Sequence, residues 1–420
     1  MIRIAFLSAV VAVAISAAEK PNIIFILADD LGQECVGAYG GTSCPTPNLD
    51  RLATEGVRFT RCYSQPLCTP SRVQLMTGMY NSRNYVGFGE LKTGSITFGH
   101  LLSQAGYTTG ITGKWQLGGG EMVPKDFGFS TWNLWQVTTR DSRYWEPGLS
   151  VDGKPAPATK GDYGPDLQQQ WALNFITANK TRPFILYYPM VLPHKPLDPT
   201  PDGKKGDAAG KLERFPAMVT YLDKLVGGVA EHLRKEGIER NTLLIFTGDN
   251  GTDRGNTVTF RGQQVKGEKN RASERGTHVP LIVSWPGTAK SGVREDLVDF
   301  TDMVATFTDA AGVAKPKTCD GHSLLPAIKG TGGTGRTWVY GWYYGSDMGK
   351  TDAEWAHDGR WWVDASGQTY DIDADPAMLK PAHGAEAEAA KAKLLPVIKA
   401  MAAPSFPKVD PGKKKSGEDG

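Results

Sequence analysis

Four short apolar runs along the chain stop in the same way, each at a charged, amide or imidazole side chain. Asn22–Ala28 (NIIFILA) ends in Asp29 and Asp30, and residues 107–112 lead to Gly113, Lys114 and Trp115. Residues 184–192 end at Pro193 and His194, and 242–247 end in Gly248, Asp249 and Asn250. The runs are continuous rather than alternating, which suits strands of a parallel sheet covered on both faces. Helical patterns fall between them, at 46–55, 71–79, 97–105, 165–178, 216–236, 299–311 and 324–329. The first of these has Pro47 in its first turn and Gly56 just past its end, a fitting pair of boundaries. Alternation of strand and helix predicts an α/β fold: a large, doubly wound, mostly parallel sheet flanked by helices. Ligands of such sheets lie beyond the carboxyl ends of the strands, so the shared endings predict one active site.

The pattern changes past residue 335. Residues 338–344, 360–364 and 369–372 read as strands and 385–402 as an amphipathic helix, together a small antiparallel sheet plus helix. The chain divides accordingly into a catalytic domain over 19–334, a C-terminal subdomain over 335–407 and a disordered tail over 408–420. Residues 1–18 read as a signal peptide, with Arg3 as the positive region, 4–15 as the apolar core and Ser16-Ala17-Ala18 as the cleavage site. That apolar core is shorter than the roughly 20 residues needed to span a bilayer, so export to a periplasm or beyond, without membrane attachment, is expected.

Composition narrows the partners. The chain has 420 residues, 40% hydrophobic and 22% charged, with a formal charge of +2, ordinary globular values that give no reason to expect nucleic acid. The five cysteines are Cys35, Cys44, Cys62, Cys68 and Cys319. An odd count in an exported protein invites a special role for one of them. If that one is Cys68, four remain, for up to two disulfides or for free buried thiols. Trp132, Trp135, Tyr144, Trp145, Trp342, Tyr343 and Tyr344 lie in two segments without motifs, where they either stack on sugar faces or fill the core.

Asp29, Asp30, Asp249 and Asn250 form an all-oxygen set, the donor type that hard divalent cations, calcium above all, prefer. Residues 68–78 read CTPSRVQLMTG, placing a thiol just before a helical pattern. Helix amino ends favour anions, and a sulfate ester is one.

The stretch C-T-P-S-R-x-x-L-x-T-G resembles the signature of the type I sulfatases, members of the alkaline phosphatase superfamily. The stretch GYTTGITGKWQLG around Lys114 resembles their second signature, and Glu274 to Pro280 resembles a third conserved stretch. The resemblance covers roughly residues 20 to 400. It implies an alkaline-phosphatase-like fold and a formylglycine made from Cys68 by a formylglycine-generating or anaerobic sulfatase-maturating enzyme. It also implies one calcium ion held by Asp29, Asp30, residue 68, Asp249 and Asn250. Arg72 would orient the hydrated aldehyde and the metal ligands. Lys114 and Lys269 would bind sulfuryl oxygens, with Lys266 the neighbouring alternative to Lys269. His194 would protonate the leaving oxygen as general acid. Where the family places a histidine two residues past the lysine, this chain has Gln116, which keeps a hydrogen bond but is no base near neutral pH. The implied activity is hydrolysis of sulfate monoesters, with a sulfated saccharide as the expected substrate. Two alternatives are a phosphate or phosphonate ester hydrolase of the same fold and a sulfated-glycan-binding protein without turnover.

Overall fold

The computed structural model describes residues 20–137, 142–203, 211–343 and 353–401. The expected signal peptide and tail lie outside these residues. A ten-stranded sheet forms the centre. In chain order its strands are β1 (Asn22–Ala28), β2 (Val57–Tyr63), β3 (Thr108–Lys114), β4 (Thr131–Trp135), β5 (Gly148–Val151), β6 (Lys154–Pro157), β7 (Phe184–Pro189) and β8 (Thr242–Gly248). A two-stranded ribbon, β9 (Thr257–Phe260) and β10 (Gln263–Lys266), stands apart, and β11 (His278–Ser284) and β12 (Gly292–Asp299) return to the sheet. The spatial order is β12-β2-β11-β8-β1-β7-β3-β4-β5-β6. β8, β1, β7, β3 and β4 run parallel, while β11 and β5 run against their neighbours. The sheet is therefore mixed and mostly parallel, as the alternation predicted.

Continuous apolar runs form these strands because both faces are covered. Ile23, Phe25 and Leu27 enter one core and Ile24, Ile26 and Ala28 the other, all fully buried. Each such aliphatic side chain contributes about 1.5–3 kcal/mol on leaving water. A second, four-stranded antiparallel sheet follows, β13 (Val339–Tyr343), β14 (Ala353–His357), β15 (Trp361–Asp364) and β16 (Thr369–Asp371), covered by the helix Ala385–Met401.

Several boundaries differ from the pattern. The helix expected at 71–79 spans Cys68–Thr77, so residue 68 is its first residue and not its predecessor. Pro70 allows this, because a first-turn proline gives up only an amide that has no helical partner. The helix expected from 299 begins at Asp302, since Asp299 ends β12 and its carboxylate accepts from the Thr301 amide and hydroxyl. Strand β7 stops at Pro189, short of residue 192. The strands β2, β12 and β14 escaped the pattern because they lack a long apolar run; β2 alternates apolar residues with Arg58, Thr60 and Arg61. Strand β11, by contrast, carries a buried apolar run, Val279 to Val283, that the expected strands omit. All five cysteines are free and buried, which settles the choice between disulfides and thiols. Trp132, Trp135, Tyr144 and Tyr343 are buried, Trp145 and Trp342 are half-buried, and Tyr344 lies outside the described residues. No helix among the described residues is long and apolar enough to cross a membrane.

Candidate active site

The carboxyl ends of β1, β8, β7 and β3 lie side by side, because these strands are neighbours and parallel. Asp29 and Asp30 leave β1, Asp249 and Asn250 leave β8, Lys114 closes β3, and the segment after β7 carries His194. Strand β2 ends at the same edge, and the turn after it delivers Cys68. The loop before β11 brings Lys269 there. Gly113 makes the β3 ending feasible: its φ is +125°, and a Cβ would lie 1.8 Å from the Pro189 carbonyl oxygen. A side chain at 113 would push Lys114 off its neighbour strand.

Cys68 is buried in the first turn of a helix whose every residue is buried. A sulfur of Cys68 and one carboxylate oxygen each of Asp29 and Asp249 lie within 4.8 Å of one another. The guanidinium of Arg72, on the same helix, donates from Nε and Nη2 to Asp249 Oδ2 at 3.2 and 2.9 Å. Its Nη1 donates to the Lys114 carbonyl at 3.3 Å. Lys114 Nζ donates to both oxygens of Asp29, at 3.0 and 2.9 Å. Lys269 Nζ donates to Asp30 Oδ2 at 2.7 Å and lies 3.1 Å from His194 Nε2. Lys266, the neighbouring alternative, is exposed at the end of the two-stranded ribbon.

Electrostatics divide the aspartates. Burial would raise Asp29, but Lys114, His194, Arg72 and Arg143 outweigh it and hold the carboxyl well below the usual range. Asp30 is likewise held down, against burial, by His194 and Lys269. Burial and then the charge of Asp29 push Asp249 up to about 7 despite Arg72 and Lys114. That point of the cluster is short of positive charge. Asn250 donates from Nδ2 to Asp30 Oδ1 at 2.9 Å, while its Oδ1 is buried without a hydrogen-bond partner. An unmet buried acceptor at Asn250 beside the under-neutralised carboxyl of Asp249 is what an all-oxygen site for a hard cation requires, so the residues fit calcium.

His194 is forced into one tautomer. Nδ1 lies 2.6 Å from the Lys195 carbonyl, which only accepts, so the ring proton sits on Nδ1. Nε2 then accepts from Lys269. Burial, with Lys269 and Lys114 adding to it, lowers the imidazole to about 3 against the pull of Asp30 and Asp29. In this state His194 presents a lone pair to the cluster and not the proton expected of a general acid. Gln116 follows Lys114 by two residues in the left-handed region, φ +54°, and its Oε1 is buried without a partner.

One residue of the cluster escaped sequence reasoning. Arg143 Nη1 lies 3.5 Å from Asp29 Oδ2, and its Cζ stands 4.3 Å from the ring centre of Trp135. Nothing in its neighbourhood, Asp-Ser-Arg-Tyr-Trp, matches a motif, and no strand ending marks it.

Comparison with known proteins adds an independent line. The sulfatase family profile matches residues 21–313, and the profile of the N-sulphoglucosamine sulphohydrolase C-terminal region matches 268–395. Arylsulfatase A of Bos taurus is 31% identical over 366 residues, spanning 78% of this chain and 71% of its own. N-acetylglucosamine-6-O-sulfatase of Bacteroides thetaiotaomicron is 26% identical over 428 residues, spanning 78% and 74%. Among solved structures, Ps i-CgsB in complex with k-i-k-neocarrahexaose superposes with a TM-score of 0.76 at 26% identity, covering 90% of this chain and 91% of the other.

Proposed function

The chain belongs to the sulfatase family and is a sulfuric ester hydrolase, and from that premise we propose that it is exported and removes sulfate from carbohydrate by means of formylglycine at position 68 and one calcium ion. The observation that carries the reading is the meeting of Cys68, three aspartates, Lys114 and Lys269 at one edge of the sheet. Carbohydrate as the substrate is supported by the relative named N-acetylglucosamine-6-O-sulfatase and by the oligosaccharide complex of Ps i-CgsB. Export is supported by the signal-like residues 1–18, followed in this reading by a catalytic domain to 334 and a C-terminal subdomain from 335.

Asp29, Asp30, Asp249 and Asn250, with residue 68, would hold calcium. A hydrated aldehyde at residue 68 would supply a hydroxyl nucleophile toward sulfur, and calcium would supply positive charge against the sulfuryl oxygens. The remaining work belongs to side chains of the chain. Arg72 fixes Asp249, and its contact with the Lys114 carbonyl ties the nucleophile helix to β3. Lys114 and Lys269, whose ammonium groups meet Asp29 and Asp30 in this structure, would offer positive charge to the sulfuryl oxygens of the ester. His194 gives a proton to the leaving oxygen. In the resting state its Nε2 accepts from Lys269, which Asp30 holds firmly as the ammonium against burial. Lys269 thus keeps its charge for the sulfuryl oxygens, and the proton that His194 passes on is taken up from solvent.

The test joins chemistry to turnover. Protein made with a maturating enzyme should show, in the peptide containing Cys68, the mass of an aldehyde in place of the thiol. It should hydrolyse sulfate esters, and defined sulfated saccharides among them, far faster than the matching phosphate esters. Full activity in protein that carries only the thiol would defeat the aldehyde reading. A preference for phosphate esters would defeat the choice of ester.

A further inference from the structure

Arg143 is held in the cluster at some cost, with one guanidinium nitrogen unmet among the described residues. Asp29 already receives Lys114 on both carboxylate oxygens and has Arg72 at 3.6 Å. Arg143 adds only a 3.5 Å approach, beyond hydrogen-bond reach, and its Nη1 is buried with no hydrogen-bond partner. A buried guanidinium donor left without an acceptor is costly in a folded protein unless a ligand meets it. Its position is nonetheless firmly set. The guanidinium stacks on Trp135, the β4 residue in register with Lys114. The adjacent Tyr144 is fully buried and donates its hydroxyl to the carbonyls of Val191, at 3.0 Å, and His194. The same short segment thus pins the backbone at His194 and aims a planar, forked donor at the carboxylate that neighbours Cys68.

Resting on the sulfatase reading, we propose that Arg143 is a substrate-contacting residue that clamps oxygens of the scissile sulfuryl group. Two parallel N–H groups of a guanidinium match two oxygens of a sulfate as they match those of a carboxylate or phosphate. Asp29 is the shared neighbour that puts Arg143 on this cluster: its Oδ2 lies 3.5 Å from the Arg143 Nη1, and one of its carboxylate oxygens lies within 4.8 Å of the Cys68 sulfur. The stacking partner of Arg143, Trp135, is in register with Lys114 on the neighbouring strand. A second anion on the same sugar, a carboxylate or another sulfate, would meet the same chemistry. The approach to Asp29 favours the scissile group.

The experiment compares parent, Arg143→Gln and Arg143→Lys as calcium-loaded, aldehyde-bearing protein. Turnover is measured with 4-nitrophenyl sulfate, which carries no other anion, and with a disulfated saccharide. Binding of inorganic sulfate is measured by calorimetry as a readout independent of turnover. Arg143→Gln should lower kcat/KM on the aryl ester by about 100-fold, the scale set by removing one preorganised donor from a reacting oxyanion. It should weaken sulfate binding in the same sense, and Arg143→Lys should recover part of both losses. Aryl-ester turnover and sulfate affinity within about threefold of the parent, well under 1 kcal/mol in barrier, would overturn the proposal. A loss confined to the disulfated substrate would also overturn it, by assigning Arg143 to the second anion. A merely structural role would lower the thermal midpoint and leave sulfate affinity of the folded fraction unchanged. If the parent turns over no sulfate ester, the sulfatase reading fails, and the calorimetric comparison still decides whether Arg143 meets the anion.

Discussion

Calcium and protons should compete at Asp249, and stripping the metal exposes the competition. The carboxyl is fully buried and stands at about 7, against 3.8 for the free side chain. In metal-free protein the folded state therefore keeps a proton that the unfolded chain loses between about pH 4 and pH 7. A raised carboxyl contributes its stability in full below the unfolded value and loses it as pH climbs to the folded one. Three pKa units at about 1.4 kcal/mol each make this loss roughly 4 kcal/mol by pH 8. Asp29, held below its usual range, works the other way, but its contribution disappears only on acidification below about pH 4. Calcium requires the carboxylate, so its binding releases the proton wherever one is held. Free calcium at a thousand times its Kd would return about 4 kcal/mol. Thermal unfolding of EDTA-treated protein between pH 5 and pH 8.5 (about), with and without calcium, reads both effects. Between about pH 4 and 6.5 the buried imidazoles of His194 and His357, each lowered to about 3, add stability with rising pH and offset the loss at Asp249. The calcium-induced gain, and not the metal-free midpoint, therefore isolates the Asp249 proton and should grow up to about pH 7. Calorimetry in buffers of different ionisation enthalpy should count about one proton released near pH 6 and almost none near pH 8.5. A midpoint indifferent to calcium near pH 8, or a gain larger at pH 5 (about) than at 8, would refute the reasoning.

Three further outcomes are expected. Gln116→His, at φ +54° where histidine is better tolerated than most residues, should raise the steady rate less than tenfold; a gain above that, about 1.4 kcal/mol in barrier, would mean that a base was missing. His194→Gln should lower kcat on alkyl sulfates by about 100-fold or more while sparing nitrophenyl sulfate, whose leaving oxygen needs no proton; equal losses would take the proton away from His194. Gly113→Ala places a Cβ 1.8 Å from the Pro189 oxygen at φ +125° and should cost about 3 kcal/mol or more in chemical denaturation, while a loss below about 1 kcal/mol would show that β3 can shift.

Much of the site was legible because its residues are announced by local signals. Strand endings flag Asp29, Asp30, Asp249 and Asn250 without reference to any other protein, since a continuous apolar run that stops at a carboxylate marks a buried strand and its carboxyl end. Local helix chemistry also marked the amino end at Cys68 to within three residues, Pro70 obscuring the true start. Strands with polar faces, such as β2 and β12, left no such mark, because their pairing depends on neighbours far along the chain. The same separation hid Arg143, whose meaning lies in a 3.5 Å approach to Asp29 and a stack on Trp135 that no spacing encodes. It also hid the protonation of the cluster. Which aspartate keeps a proton, and which nitrogen of His194 bears one, follows from burial and from charges brought together across the fold. Hydrophobic periodicity and short motifs are properties of neighbouring residues, so the sequence by itself determined the strand edge and the kinds of groups gathered there. Coulomb energy and desolvation depend on distance in space and on exclusion of water, so only the tertiary structure decided how those groups share their charge.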